Sequence, residues 1–86
     1  MQADKDKINR LLKTAKGQIE GIMKMVEDDR YCIDISTQLM ACSSVLQRAN
    51  KEILSAHLKA CVAHAKDEDE INKKVDEFMK SMDKLM

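Results

Sequence analysis

Eighty-six residues carry fifteen Lys and Arg against fifteen Asp and Glu, giving zero formal net charge, with 44% apolar residues and only 2% aromatic ones. A chain of that length is one small domain, residues 1–86, and buries only a modest share of its surface unaided. A neutral balance gives no bulk attraction to nucleic acid, and no stretch approaches the roughly 20 apolar residues of a membrane span.

With no proline and only two glycines, Gly17 and Gly21, the composition favours helices almost throughout. In the first third of the chain Ile8, Leu12, Ala15, Ile19, Ile22 and Val26 step by four and three, which predicts an amphipathic helix from about Asp4 to Glu27. The polar run Glu27-Asp28-Asp29-Arg30 ends it without a capping glycine. A second stripe, Ile35, Leu39, Cys42, Leu46, Ala49, Ile53, Ala56 and Ala60, predicts a long helix from about Ile33 to His64. Met40, Val45, Leu54, Leu58 and Val62 fall outside that stripe, so more than one face is apolar and oligomerisation is expected. After Lys66-Asp67-Glu68-Asp69-Glu70 the pattern resumes as a short third helix with Ile71, Val75, Phe78, Met82 and Leu85. The acidic residues suit its N-terminus. The start of the chain lacks an apolar run, so no signal peptide is expected. A cytoplasmic location follows, and there three cysteines suggest metal or redox chemistry rather than a disulfide framework.

The chemistry lies in Cys32, His57 and Cys61. His57 and Cys61 are one helical turn apart on one face, a spacing that lets two side chains grip one ion. Cys32 lies 25 residues before His57, or roughly 37 Å along a continuous helix, so a shared site needs a second chain. Two copies of the second helix, antiparallel and centred near Leu46, bring Cys32 of one chain level with Cys61 of the other. At about 100° per residue the three ligands fall within roughly 20° of one line, so the faces agree as well. Two thiolates and one imidazole form a soft, low-coordination set that suits Cu(I), and Zn(II) only with a fourth ligand such as His64.

Other polar candidates read more simply as structure. Cys42 sits in the core stripe about 80° from the ligand line and is read as a small hydrophobe. Met23, Met25, Met40, Met79 and Met82 are read as packing material rather than copper ligands. No triad, cofactor motif or cleft-forming pattern is visible, so an enzyme is not expected.

Glu27-Asp28-Asp29-Arg30-Tyr31-Cys32-Ile33-Asp34-Ile35, Gln38-Leu39-Met40-Ala41, His57-Leu58-Lys59-Ala60-Cys61 and Gly17-Gln18-Ile19-Glu20-Gly21-Ile22 together resemble the copper-sensing repressors of the CsoR/RcnR family. The resemblance spans nearly the whole chain. It implies an all-α, disc-shaped tetramer, a dimer of antiparallel helical-bundle dimers, that binds operator DNA when empty and releases it when its inducer binds. Cys32, His57 and Cys61 match the copper sensors' ligand pattern. Members sensing nickel or cobalt carry a histidine near the N-terminus, where this chain has Met1-Gln2-Ala3. By the same resemblance Tyr31 and Glu77 connect the bound ion to the third helix, and Lys13, Lys16, Arg48 and Lys51 belong to the DNA face. Leu11 departs from a position that is commonly arginine, with Arg10 beside it.

The charge distribution leaves room for DNA: residues 1–26 carry six basic against three acidic residues, while residues 63–86 carry five against seven. No helix-turn-helix is visible, so phosphate contacts and DNA shape would carry binding. The expected function is Cu(I)-responsive repression. Two rivals are a repressor in which reactive sulfur or another oxidant links Cys32 to the partner's Cys61, and a cytosolic copper buffer without DNA.

Overall fold

The computed structural model describes residues 1–64 and 67–84, which form three helices and, among the described residues, no strand: α1, Lys5–Glu27; α2, Cys32–Ala63; and α3, Glu68–Asp83. Each boundary has a local cause. Asp4 caps α1, its carboxylate accepting from the amides of Asp6 at 3.0 Å and Lys7 at 3.4 Å. At the other end Arg30 N–H donates to the carbonyl of Met25 at 3.0 Å and Asp29 N–H to that of Val26 at 3.1 Å, the paired bonds of a Schellman closure. The residue in the left-handed conformation is Asp29, with φ 52°, so an aspartate fills the place usually held by glycine. Helix α2 begins at Cys32, one residue before the sequence placed it, and ends at Ala63 with His64 as its cap. Its cap residue Tyr31 makes no side-chain capping bond. Asp67 caps α3 by accepting from Glu70 N–H at 2.8 Å, and Glu68, Asp69 and Glu70 form its first turn. The acidic residues therefore stand at the helix N-terminus, as their charge led one to expect; Ala65, Lys66, Leu85 and the Met82 side chain lie outside the described parts.

Helices α1 and α2 form a hairpin whose buried residues are Ile8, Ala15 and Ile22 on one side and Cys42, Val45 and Ala49 on the other. Leu11 and Ile35 pack against this cluster. The buried set on α1 steps by seven, so only half of the predicted stripe faces α2. Leu12, Ile19 and Val26 are 45%, 45% and 58% exposed, and on α2 Leu39 and Leu46 are 53% and 43% exposed. Val45, which the stripe excluded, is buried instead. The reason is geometric: steps of four and three trace two adjacent lines on a helix, and one neighbour covers only one of them.

Two contacts fix the register. Cys42 Sγ lies 3.7 Å from the carbonyl oxygen of Ala15, satisfying the thiol inside the core. Lys7 Nζ lies 3.0 Å from Glu52 Oε1 near the other end. Beyond Glu52 helix α2 outruns α1, and α3 packs on that projecting segment and, among the described residues, not on α1. The extents are 57 × 25 × 11 Å. A thickness of 11 Å is about one helix diameter, so no second layer covers the exposed apolar lines. No described helix is long and apolar enough to cross a membrane.

Candidate metal centre

His57 and Cys61 stand on successive turns of the projecting part of α2, with Sγ 3.5 Å from Nε2. A thiol and an imidazole held that close converge on one small volume, which is the first requirement of a shared ion. They line a pocket of about 220 Å³ together with His64 of α2, Glu70 and Lys74 of α3, and Gln2 ahead of α1. His57 is exposed and Cys61 half-buried, so the site opens to solvent.

Cys32 is exposed at the first position of α2, the opposite end of the same helix. Twenty-five residues of unbroken helix separate it from His57 by roughly 37 Å. The chain thus brings together two of the three sequence-derived ligands and cannot supply the third to the same point. Among the described residues no group of three Cys, His, Asp or Glu side chains stands close enough to hold an ion. Two thiols and one imidazole still fit a soft monovalent ion chemically, provided that Cys32 comes from another copy. Cys32 would then place its thiolate at the positive end of the α2 dipole.

Tyr31 is 67% exposed and sits beside Cys32, far along α2 from the pocket of its own chain. Glu77 is exposed on α3, its Oε2 3.8 Å from Lys74 Nζ, and so touches the pocket only through Lys74. The pocket's own carboxylate is Glu70, which sequence reading passed over; the signal was the spacing of Glu70, Lys74 and Glu77, one face of α3. Gln2 left no such signal, since it precedes any periodic segment.

Lys13 and Lys16 are exposed on α1, Arg48 and Lys51 on α2. The hairpin register sets Arg48 and Lys51 level with the first turns of α1. Leu11 has its side chain partly buried against the hairpin core, whereas the neighbouring Arg10 is exposed. The hydrophobic residue at that departure is therefore used for packing, and the charge available there belongs to Arg10.

Comparison with known proteins places these features in context. The profile of a family described as "Metal-sensitive transcriptional repressor" matches residues 4–84. The copper-sensing transcriptional repressor CsoR of Mycobacterium ulcerans (strain Agy99) is 48% identical over 58 residues, covering 67% of this chain and 49% of that protein. The chain thus spans about half the length of this curated relative. Among solved structures, the nickel-responsive transcriptional regulator InrS superposes with a TM-score of 0.79 at 27% identity, covering 100% of this chain and 97% of the other. The copper-sensing repressor CsoR with Cu(I) from Geobacillus thermodenitrificans NG80-2 gives 0.75 at 34% identity, covering 98% and 91%.

Proposed function

The chain belongs to the metal-sensitive transcriptional repressors, and on that premise we propose that it is a Cu(I)-responsive repressor acting in the cytoplasm as a single sensing and DNA-binding unit. The observation that carries this reading is the arrangement of α2: His57 and Cys61 adjoin at 3.5 Å at one end while Cys32 is exposed at the other. Antiparallel pairing of two α2 helices about Leu46 joins Cys32 of one chain to His57 and Cys61 of its partner, twice by symmetry. The apolar lines left open by the hairpin, Leu39 and Leu46 on α2 with Leu12, Ile19 and Val26 on α1, supply the contact. Two such dimers form the tetramer.

Between copper and nickel the proposed donor set favours copper. Two thiolates and one imidazole suit Cu(I), which accepts low coordination, better than Ni(II), which favours more nitrogen and oxygen ligands. Similarity to a nickel-responsive regulator and to a Cu(I)-bearing repressor supports metal sensing without choosing the metal.

The empty protein binds operator DNA through Lys13, Lys16, Arg48 and Lys51, whose contacts are with phosphate. Cu(I) bridges two helices from different chains, and it weakens DNA binding to the extent that it binds the DNA-incompetent arrangement more tightly. A tenfold loss of operator affinity requires only about 1.4 kcal/mol of coupling. Tyr31, beside Cys32, and Glu77, joined to the pocket through Lys74, carry that coupling toward α3.

Anaerobic Cu(I) titration with X-ray absorption should report two sulfurs and one nitrogen around the ion. In mobility-shift assays Cys32→Ala and His57→Ala proteins should retain operator binding and ignore copper; release by Cu(I) despite either change defeats the assignment. If polysulfide instead releases the DNA and mass spectrometry finds Cys32 linked to the partner's Cys61, the signal is reactive sulfur. If no promoter fragment shifts, the chain is a copper buffer.

A further inference from the structure

The line of α2 that carries Cys32, His57 and Cys61 also holds polar residues for which the Cu(I) reading has no role. Two rows, each repeating every seven residues, run along it: Cys32, Leu39, Leu46 and Ile53 form one, and Ser36, Ser43, Asn50 and His57 the other. Their combined steps alternate between four and three, the spacing of a seam between two helices. At about 100° per residue Asn50 falls at the middle of the ligand line, and Ser43 within about 20° of it. Asn50 is half-buried and Ser43 exposed. Neither has a side-chain hydrogen bond among the described residues, whereas Thr37 and Ser44, off this line, return their hydroxyls to the carbonyls of Ile33 at 2.9 Å and Met40 at 3.1 Å.

Ser43 lies eleven residues after Cys32, and Asn50 eleven before Cys61. An antiparallel pairing that sets Cys32 level with the partner's Cys61 therefore also sets Ser43 level with the partner's Asn50, once on each side of Leu46. Resting on that antiparallel reading, we infer that Asn50 and the partner's Ser43 hydrogen-bond across the seam and fix the register in which the two copies of α2 meet. The Asn50 amide N–H donates to the Ser43 hydroxyl oxygen. A slide of three or four residues would set Asn50 against the partner's Leu46 or Leu39 and bury its carboxamide without a partner. The same slide moves Cys32 roughly 5 Å along the partner helix, about twice the length of a metal–sulfur bond. Sliding by a whole seven keeps polar against polar, but it shortens the overlap of two helices that otherwise match nearly end to end. Asn50 is thus a positioning residue, which acts on the ion through the placement of Cys32. A polar residue in an apolar seam gives up some association strength in return for one register.

The register is read without metal by crosslinking. In a full chain carrying Cys32→Ser and Cys61→Ser, Ser43→Cys together with Asn50→Cys should give a covalent dimer on mild oxidation, since within one helix the two positions are roughly 10 Å apart, too distant for a disulfide. Monomer alone, or a covalent dimer from either cysteine introduced singly, overturns the proposal. In the native background Asn50→Leu should sediment as the unaltered protein does while Cu(I) affinity falls about tenfold, because leucine keeps the contact and loses the register. Ser43→Ala, at an exposed position that opens no core, should lower Cu(I) affinity in the same direction. Both changes together should cost no more than Asn50→Leu alone, as expected of one shared bond. Unchanged Cu(I) affinity in Asn50→Leu, additive losses, or dissociation of Asn50→Leu into monomers overturns the inference. The Cu(I) reading fails separately, if Cys32→Ala leaves Cu(I) affinity intact, and the crosslink still decides the register.

Discussion

The α1/α2 hairpin and the projecting end of α2 with α3 are built on opposite terms. Every buried apolar residue among those described, Ile8, Ala15, Ile22, Cys42, Val45 and Ala49, lies in the hairpin; beyond Ala49 no described residue is buried. The hairpin also carries the four basic positions proposed for DNA, whereas His57, Cys61, His64 and Glu70 all sit in the projecting end. Stable packing holds one set of residues in place, and weak packing leaves the other free to respond. An ion that crosslinks the loosely packed end of one chain to the firm hairpin of another has leverage that an ion inside the hairpin would lack.

The most severe way to break this contrast is to remove the partner. Leu46 is 43% exposed in one chain and lies at the centre of the proposed symmetric contact. Leu46→Lys should leave the helices formed, convert the protein to monomers in sedimentation, and reduce Cu(I) affinity by more than about a hundredfold, because loss of an inner ligand exceeds the penalty of losing an outer one. Retained Cu(I) affinity in a monomeric Leu46→Lys protein would show that the ligands do not converge by symmetry.

Stability measurements sharpen the comparison further. Ile22 is 8% exposed in the hairpin core, and Ile22→Ala should cost about 2 kcal/mol, the low end for such truncations because its neighbours Met23 and Val26 border an open groove. Val75 on α3 is 37% exposed, and Val75→Ala should cost well under about 1 kcal/mol. Urea denaturation distinguishes the two. Equal losses would mean that α3 is as firmly packed as the hairpin. A related test uses acid: thiolate ligands must lose protons to bind, so Cu(I) affinity should fall steadily as pH is lowered.

Much of this was legible from residue spacing. Three helices, their approximate ends, the His57–Cys61 adjacency and the structural role of Cys42 all follow from periodicity, because a helix turns by a fixed angle per residue. What sequence could not divide was the double stripe on α1: Leu12 and Ala15 belong to one apolar face, yet only the second meets α2. Periodicity reports that a side chain wants cover, not which neighbour provides it. The spacing of Glu70, Lys74 and Glu77 marks one face of α3, but that this face and Gln2 share a pocket with His57 depends on α3 folding back along α2, a tertiary event that spacing does not report.

The smallest effect lies at the hinge between the hairpin helices, and it bears on how Cys32 is presented. Asp29, at φ 52°, occupies the left-handed position that closes α1, three residues before Cys32 begins α2. A side chain there costs roughly 1–2 kcal/mol relative to the right-handed region, partly relieved for aspartate by its local hydrogen bonding. Asp29→Gly removes that strain but gives the unfolded chain more freedom, worth about 0.5–1 kcal/mol in the other direction. The net change should be a stabilisation of about 0.5 kcal/mol or less, visible as a small rise in the urea midpoint at constant slope. If Asp29 instead fixes the angle at which Cys32 meets its partner's ligands, the glycine variant will be no less stable yet bind Cu(I) more weakly. Measuring midpoint and affinity on the same protein therefore tells whether the turn only joins two helices or also aims a thiolate.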